Sequence, residues 1–254
     1  MTGLFETWLE RRRYKKMFAR MAGPKLMRCF AEVVNDPFFV EIGANDGSSF
    51  DQIGPYARER GWRGIMVEPV PYVFTQLQAA YADSPGVRCE NVAIADRAGT
   101  MPFFHFAEAS LDERGHLPDF YDAVGSFSRA HVAEHAPELA DRIVETEVPT
   151  VTFDGLLEGE DRLDLLVIDT EGYDWEILRR IDFRAWRPRL VLYEHYHLQP
   201  RDRAAARQRL TQRGYETLEE GLDTWCLRPD PEDALTELFR ASPPALPGMS
   251  RFDG

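Results

Sequence analysis

The chain has 254 residues, enough for one α/β domain with additions, and its apolar share of 44% is ordinary for a folded protein. It carries 30 basic and 43 acidic side chains, a formal net charge of −13, so its surface repels phosphate backbones and no nucleic-acid partner is expected. Cys29, Cys89 and Cys226 are far apart and show no C-x-x-C or metal-ligand spacing; no cationic leader precedes an apolar signal core and no run could span a bilayer, so a reducing cytoplasm is the expected address.

In chain order, residues 4–34 read as helical, with Leu4, Trp8, Phe18, Met21, Leu26, Phe30 and Val33 interrupted at Gly23-Pro24. The basic run Arg11, Arg12, Arg13, Lys15 and Lys16 reads as a solvated helix face in preference to a lipid or partner contact. From residue 38 short apolar runs (38–42, 64–68, 87–94, 163–169 and 190–193) alternate with helical patterns (50–61, 72–81, 173–181 and 201–213). Apolar runs without polar alternation suit strands covered on both faces, which predicts a doubly wound, Rossmann-like, mostly parallel sheet. Residues 215–218 and 224–227 read as a C-terminal antiparallel hairpin, followed by a short helix over 231–240 and a Pro/Gly-rich tail expected to be poorly ordered. Cys89 and Cys226 fall in strands as small core residues. The division is thus an N-terminal helical extension (1–35), a main domain (36–230) and a helix with tail (231–254). Residues 101–150 are too long for a simple connection and read either as a substrate lid or as an inserted helical hairpin without chemistry.

After the first strand the chain reads Glu41-Ile42-Gly43-Ala44-Asn45-Asp46-Gly47. Glycines at such a turn supply positive φ or close approach to a ligand. The spacing is G-x-x-x-G, with a carboxylate two residues before the first glycine, so a cationic ligand with an amino-acid end fits better than a pyrophosphate; a nicotinamide-dependent oxidoreductase ranks low for want of G-x-G-x-x-G. Glu68 closes the second strand about 20 residues further on, where doubly wound folds accept hydrogen bonds from ribose hydroxyls; the other reading is a surface carboxylate capping the next helix. Asn91, at the end of the third run, either donates to an adenine or stabilises a turn.

Five segments in order resemble the FkbM family of methyltransferases: V-E-I-G-A-N-D-G (40–47), G-W-R-G-I-M-V-E-P-V-P (61–71), E-N-V-A-I-A-D (90–96), V-P-T-V-T-F-D-G-L-L (148–157) and L-L-V-I-D-T-E-G-Y-D-W-E-I-L (165–178). The resemblance spans residues 36–200 and leaves the N-terminal helices and tail unexplained. It implies a class I fold, S-adenosylmethionine as cofactor with S-adenosylhomocysteine as its product, and O-methylation of a sugar or secondary metabolite in natural-product biosynthesis. By position, Glu41, Gly43 and Gly47 would hold the methionine end, Glu68 the ribose, and Asn91 would lie near the adenine. Asn45, Pro69, Val92 and Asp169 complete the cofactor set. The region between the third and fourth strands helps cover the acceptor in such chains, which makes Ser126 and Phe127 the substrate-side candidates.

The fourth and fifth runs end in Asp169-Thr170-Glu171-Gly172 and Glu194-His195-Tyr196-His197, at strand ends where open α/β sheets bind ligands. Asp169, Glu171, His195 and His197 are the catalytic candidates. Either histidine titrates near neutrality and suits a general base. If the strand extends that far, both face the crevice; otherwise they are surface residues of the following turn. Glu171 orients an acceptor hydroxyl or caps the next helix, and Asp174 and Glu176 read as helix-start charges. Asp169 and Glu194, from adjacent strand ends, could hold one Mg²⁺ through water and substrate oxygens, but without a third clear protein ligand the metal-free reading is preferred, and no Cys/His set has zinc spacing. Ser126 with His131 or His135 reads as lid polarity, since no G-x-S-x-G elbow exists. The expected partner is a small-molecule substrate, with a second copy or a pathway protein as further candidates; the apolar stripe of the N-terminal helices either covers the sheet or forms a dimer contact. The competing function is a methyltransferase-fold protein that binds the cofactor or its product yet catalyses another biosynthetic step, with a partner protein.

Overall fold

The structure, a computed structural model, describes residues 21–49, 51–118, 120–244, 248 and 251. The expected helix over 4–20, its basic run and most of the tail lie outside the described residues. In chain order the elements are α1 (Gly23–Val33), β1 (Phe38–Ile42), α2 (Gly54–Arg60), β2 (Arg63–Val67), α3 (Pro71–Ala80), β3 (Val87–Glu90), β4 (Ala93–Ile94), β5 (Gly99–Phe106), α4 (Leu111–Arg114), β6 (Gly125–Ser126) and α5 (Arg129–His135). A 3₁₀ turn (Pro137–Arg142) then leads to β7 (Ile143–Val151), α6 (Phe153–Leu156), β8 (Leu165–Ile168), α7 (Asp174–Leu178), β9 (Leu190–Glu194), α8 (Pro200–Thr211), β10 (Glu216–Glu220), β11 (Asp223–Leu227) and α9 (Ala234–Ala241).

The main sheet runs β10-β11-β9-β8-β1-β2-β3. Its five strands from β9 to β3 are parallel, and β11 pairs antiparallel with both β9 and β10. The continuous apolar runs divide by strand alternation. Val40, Ile42, Val67, Ile168 and Val191 face one layer, with α6, α7 and α8. Phe39, Met66, Val167 and Leu192 face the other, with α1, α2, α3 and α9. Both faces are therefore dry, as period-2 geometry requires of strands with no polar side. Chain connections leave β1 toward β2 and later arrive at β8 on its other side, so the strand order reverses between β1 and β8 and opens a crevice at their carboxyl ends.

The helix α1 is fixed to the sheet by Glu220, whose two carboxylate oxygens accept from Ala22 N (2.7 Å) and Gly23 N (2.9 Å). A buried acid from the far end of the chain thus satisfies amides that a helix start leaves without partners. Asp51 delays α2: its Oδ1 accepts from Ile53 N and Gly54 N, so the helix expected from residue 50 begins at Gly54.

Two expectations change. The run 87–94 is not one strand. It breaks at Asn91, after which Ala93–Ile94 joins a second sheet, β4-β7-β5-β6. Residues 101–150 are not an inserted helical hairpin: β5 and β7 pair antiparallel over eight positions, and the described residues between them form only short helices, α4, α5 and the 3₁₀ segment Pro137–Arg142. Alternation in Phe104, Phe106 and Ile143 is interrupted by Pro102, Pro149 and several charges, which hid the pairing from a sequence reading.

Candidate active site

At the end of β1 the chain turns through Gly43 (φ +86°), Asn45 (φ +49°) and Gly47 (φ +68°). Gly43 N and Ala44 N both donate to Val67 O at 3.0 Å, and Asp169 N donates to Ile42 O at 2.9 Å, so the turn is held between β2 and β8. A Cβ on Gly43 would lie 1.7 Å from the Asp169 carbonyl oxygen, and one on Gly47 would strike Leu77 and Tyr81. Neighbouring chain, in addition to backbone angle, therefore demands both glycines. Glu41 lies on the opposite side of β1 from Ile42, and burial together with the Asp51 charge pushes its pKa well up.

Glu68 is buried where β2 ends. Its Oε2 accepts from Asn45 N (3.1 Å) and its Oε1 from Val70 N (2.8 Å), which ties the glycine turn to the start of α3. Burial pushes its pKa up to about 7 against the pull of these amides. Asn91 donates both amide hydrogens, to Glu68 O (2.8 Å) and Pro69 O (3.0 Å). Both side-chain amide hydrogens are thus spent on backbone carbonyls, which is the turn-stabilising one of its two sequence readings.

The crevice beyond these turns is lined by Gly43, Glu68, Pro69, Val92 and Asp169, the strand-end residues expected from sequence. Ser126 and Phe127 line it from the second sheet, which forms its roof. Phe127 stands 5.2 Å from both the Phe103 ring (edge to face) and the Tyr173 ring. Phe103 and Tyr173 also line the crevice, and the sequence reading missed them. Tyr173 sits within the quoted 165–178 motif, so its signal was available; Phe103 had none. Asp169 opens onto the crevice. The protein around it, and then the charges of Glu194, Glu171 and Asp174, raise its pKa well above the carboxylate range.

The other catalytic candidates are placed elsewhere. His195 is wholly buried and its Nδ1 is 2.8 Å from Thr224 Oγ1. β9 ends at Glu194, so strand alternation does not carry His195 and His197 to one face as expected. His197 lines a neighbouring hollow with His131 and Gly172, and its Nδ1 is 3.0 Å from Glu171 Oε2 and 2.9 Å from Glu194 Oε2. Asp174, read from sequence as a helix-start charge, is a fully buried tie between strand ends. Its Oδ2 accepts from Thr170 Oγ1 (2.8 Å), and its Oδ1 accepts from Glu194 N (3.1 Å). Burial pushes Asp174 up to about 7.

A seven-stranded sheet of this order, with a glycine turn after the first strand and an acid at the end of the second, is the Rossmann-like fold of class I methyltransferases. The chain belongs to the methyltransferase FkbM domain family, whose model matches residues 41–217. Solved structures similar to it include methyltransferase FkbM from Methylobacillus flagellatus KT, at 13% identity over 77% of this chain and 45% of that one, with a TM-score of 0.46. Others are precorrin-6y C5,15-methyltransferase from Geobacter metallireducens GS-15 (14% identity, 77% and 71%, TM-score 0.38) and the N-terminal domain of human METTL16 in complex with SAH (12% identity, 78% and 65%, TM-score 0.40). The chain spans less than half the length of the Methylobacillus structure. No curated protein matches the chain. Among the described residues, no helix is long and apolar enough to cross a membrane.

Proposed function

We propose that this chain is an S-adenosylmethionine-dependent O-methyltransferase acting on a hydroxyl of a sugar or secondary metabolite. The observation that carries the reading is the crevice at the strand ends, where Gly43, Glu68, Val92 and Asp169 meet Ser126 and Phe127. Its chemistry suits a cofactor with cationic and hydroxyl-bearing parts. Asn45 Oδ1 is buried without a hydrogen-bond partner among the described residues, an acceptor suited to the amino group of a methionine end. Glu68 keeps lone pairs beyond the two it gives to backbone amides and can accept from ribose hydroxyls.

The cofactor supplies an electrophilic methyl group. The protein orients the acceptor oxygen and receives its proton. Asp169 is the residue proposed for the proton, because its carboxylate opens onto the crevice at the end of β8, where an acceptor hydroxyl would meet the methyl group. The apolar roof of Phe103, Phe127 and Tyr173 excludes water above it.

Calorimetry with S-adenosylmethionine and S-adenosylhomocysteine tests the cofactor. Binding should be weakened at least about tenfold in Glu68→Ala, through loss of the ribose acceptor. Asp169→Asn should retain binding and lower label transfer to an acceptor pool by about 100-fold or more. Absence of binding by the intact chain would refute the cofactor assignment, and undiminished transfer in Asp169→Asn would refute the proton role.

A further inference from the structure

Beside the crevice, α5, the β8–α7 turn and the β9–α8 turn bring together residues that the sequence keeps far apart. One potential ligand atom from each of His135, Glu171 and His197 lies within 4.8 Å of the others. All three side chains are largely shielded, at 7%, 18% and 13% exposure.

The hydrogen bonding fixes what these atoms offer. His135 Nδ1 is 3.0 Å from His131 O, one helical turn back. A carbonyl can only accept, so Nδ1 carries the hydrogen and Nε2 of the neutral ring carries a lone pair. That Nε2 is buried and has no hydrogen-bond partner among the described residues. It faces Glu171 Oε2 at 3.5 Å, which is itself an acceptor. On the other side of that same oxygen lies His197 Nδ1, at 3.0 Å. His197 Nδ1 donates to the carboxylates beside it, so a cation would displace that proton and join the lone pairs of His135 Nε2 and Glu171 Oε2.

The spacing suits one ion. Imidazole nitrogens and carboxylate oxygens bind Zn²⁺-like ions at roughly 2.0–2.2 Å, so two ligand atoms on one ion stand roughly 3–3.5 Å apart for octahedral to tetrahedral angles. The separations at Glu171 Oε2, 3.0 and 3.5 Å, lie in that interval, and the two imidazole nitrogens lie within 4.8 Å of each other, so the rings close up slightly on an ion. The His131 contact to His135 Nδ1 supplies the outer hydrogen bond that fixes a metal-binding imidazole. The hollow lined by His131, Gly172 and His197 gives an entry path.

We propose that His135, Glu171 and His197 bind one divalent transition-metal ion of the Zn²⁺ type, which pins α5 and the crevice roof to the ends of β8 and β9. Two imidazoles with one carboxylate select such an ion over Mg²⁺ or Ca²⁺, which take oxygen ligands. Glu194 Oε2, 2.9 Å from His197 Nδ1, stands alongside as a further oxygen. The site is independent of the cofactor reading.

The test uses the full chain, stripped with chelator and dialysed against Zn²⁺, with Mg²⁺ and Ca²⁺ in parallel and the bound metal counted by elemental analysis. About one Zn²⁺ per chain is expected, with a rise in melting temperature on binding. Affinity should drop at least about tenfold in His135→Ala and His197→Ala and be unchanged in His116→Ala, which removes an exposed imidazole elsewhere. Co²⁺ loaded into the unmodified chain should give visible ligand-field bands, a readout that stands even if a variant fails to fold. Failure to retain Zn²⁺, a preference for Mg²⁺, or folded His135 and His197 variants that bind as tightly as the parent would overturn the site. Cofactor calorimetry reads the crevice separately, so failure of one assignment is distinguishable from failure of the other.

Discussion

Replacing Gly43 by alanine probes the joint on which the crevice depends. Two costs add. An L-residue at φ +86° pays about 1–2 kcal/mol for the left-handed conformation. The new Cβ would also sit 1.7 Å from the Asp169 carbonyl oxygen, and that oxygen belongs to backbone at the end of a buried parallel strand, so it cannot swing aside like a side-chain tip. Overpacking of this kind costs about 1–3 kcal/mol. The sum, about 2–5 kcal/mol, corresponds to a fall in melting temperature of about 4–20 °C for a chain of this size. Gly61→Ala isolates the first cost, because Gly61 has φ +66° with nothing within 4 Å of the added Cβ. Thermal denaturation followed by circular dichroism should show Gly43→Ala melting well below Gly61→Ala. Equal melting temperatures would refute the claim that the turn is wedged against β8. The same wedge means that a larger residue at Gly43 disturbs the fold as well as the cofactor seat, so a loss of binding there needs a stability measurement beside it.

Stability should fall as pH rises from 6.5 to 8. Glu68, Asp174 and Asp223 have folded pKa values pushed up to about 7 by burial, above their unfolded values near 4. Their favourable contribution is complete below the unfolded pKa and is lost as pH rises toward and through 7, because the native state holds protons that the unfolded state has released; above 7 the native groups ionise and the loss levels off. Each loses about 0.8 kcal/mol across that interval, so melting temperature should drop about 5–10 °C in total, and Glu68→Gln should remove about a third of the slope. A flat or rising profile would contradict the burial of these carboxyls. Asp174→Ala should cost about 2–4 kcal/mol, since it strips acceptors from Thr170 Oγ1 and Glu194 N in the interior; a denaturant titration with a midpoint unchanged from the parent would show that water replaces them.

Sequence alone determined the features set by local pattern. Continuous apolar runs at 38–42, 165–168 and 190–193 could be stable only with both faces covered, so the parallel sheet was legible before any coordinate. So was the crevice floor, because a glycine turn and an acid at consecutive strand ends must converge wherever the sheet order reverses. What tertiary structure decided rests on contacts between distant segments. Asn91 reads equally as ligand donor or turn residue until Glu68 O and Pro69 O are found against its amide. His195 and His197 differ by two positions, yet the strand stops at Glu194, so one is buried against Thr224 and the other turns to the hollow. Gly43 looked like a ligand glycine, and its tightest neighbour is the backbone of Asp169, 126 residues further along the chain by subtraction of their numbers. His135, Glu171 and His197 have no metal-ligand spacing because their proximity comes from three elements folded against one another, and no local period encodes that.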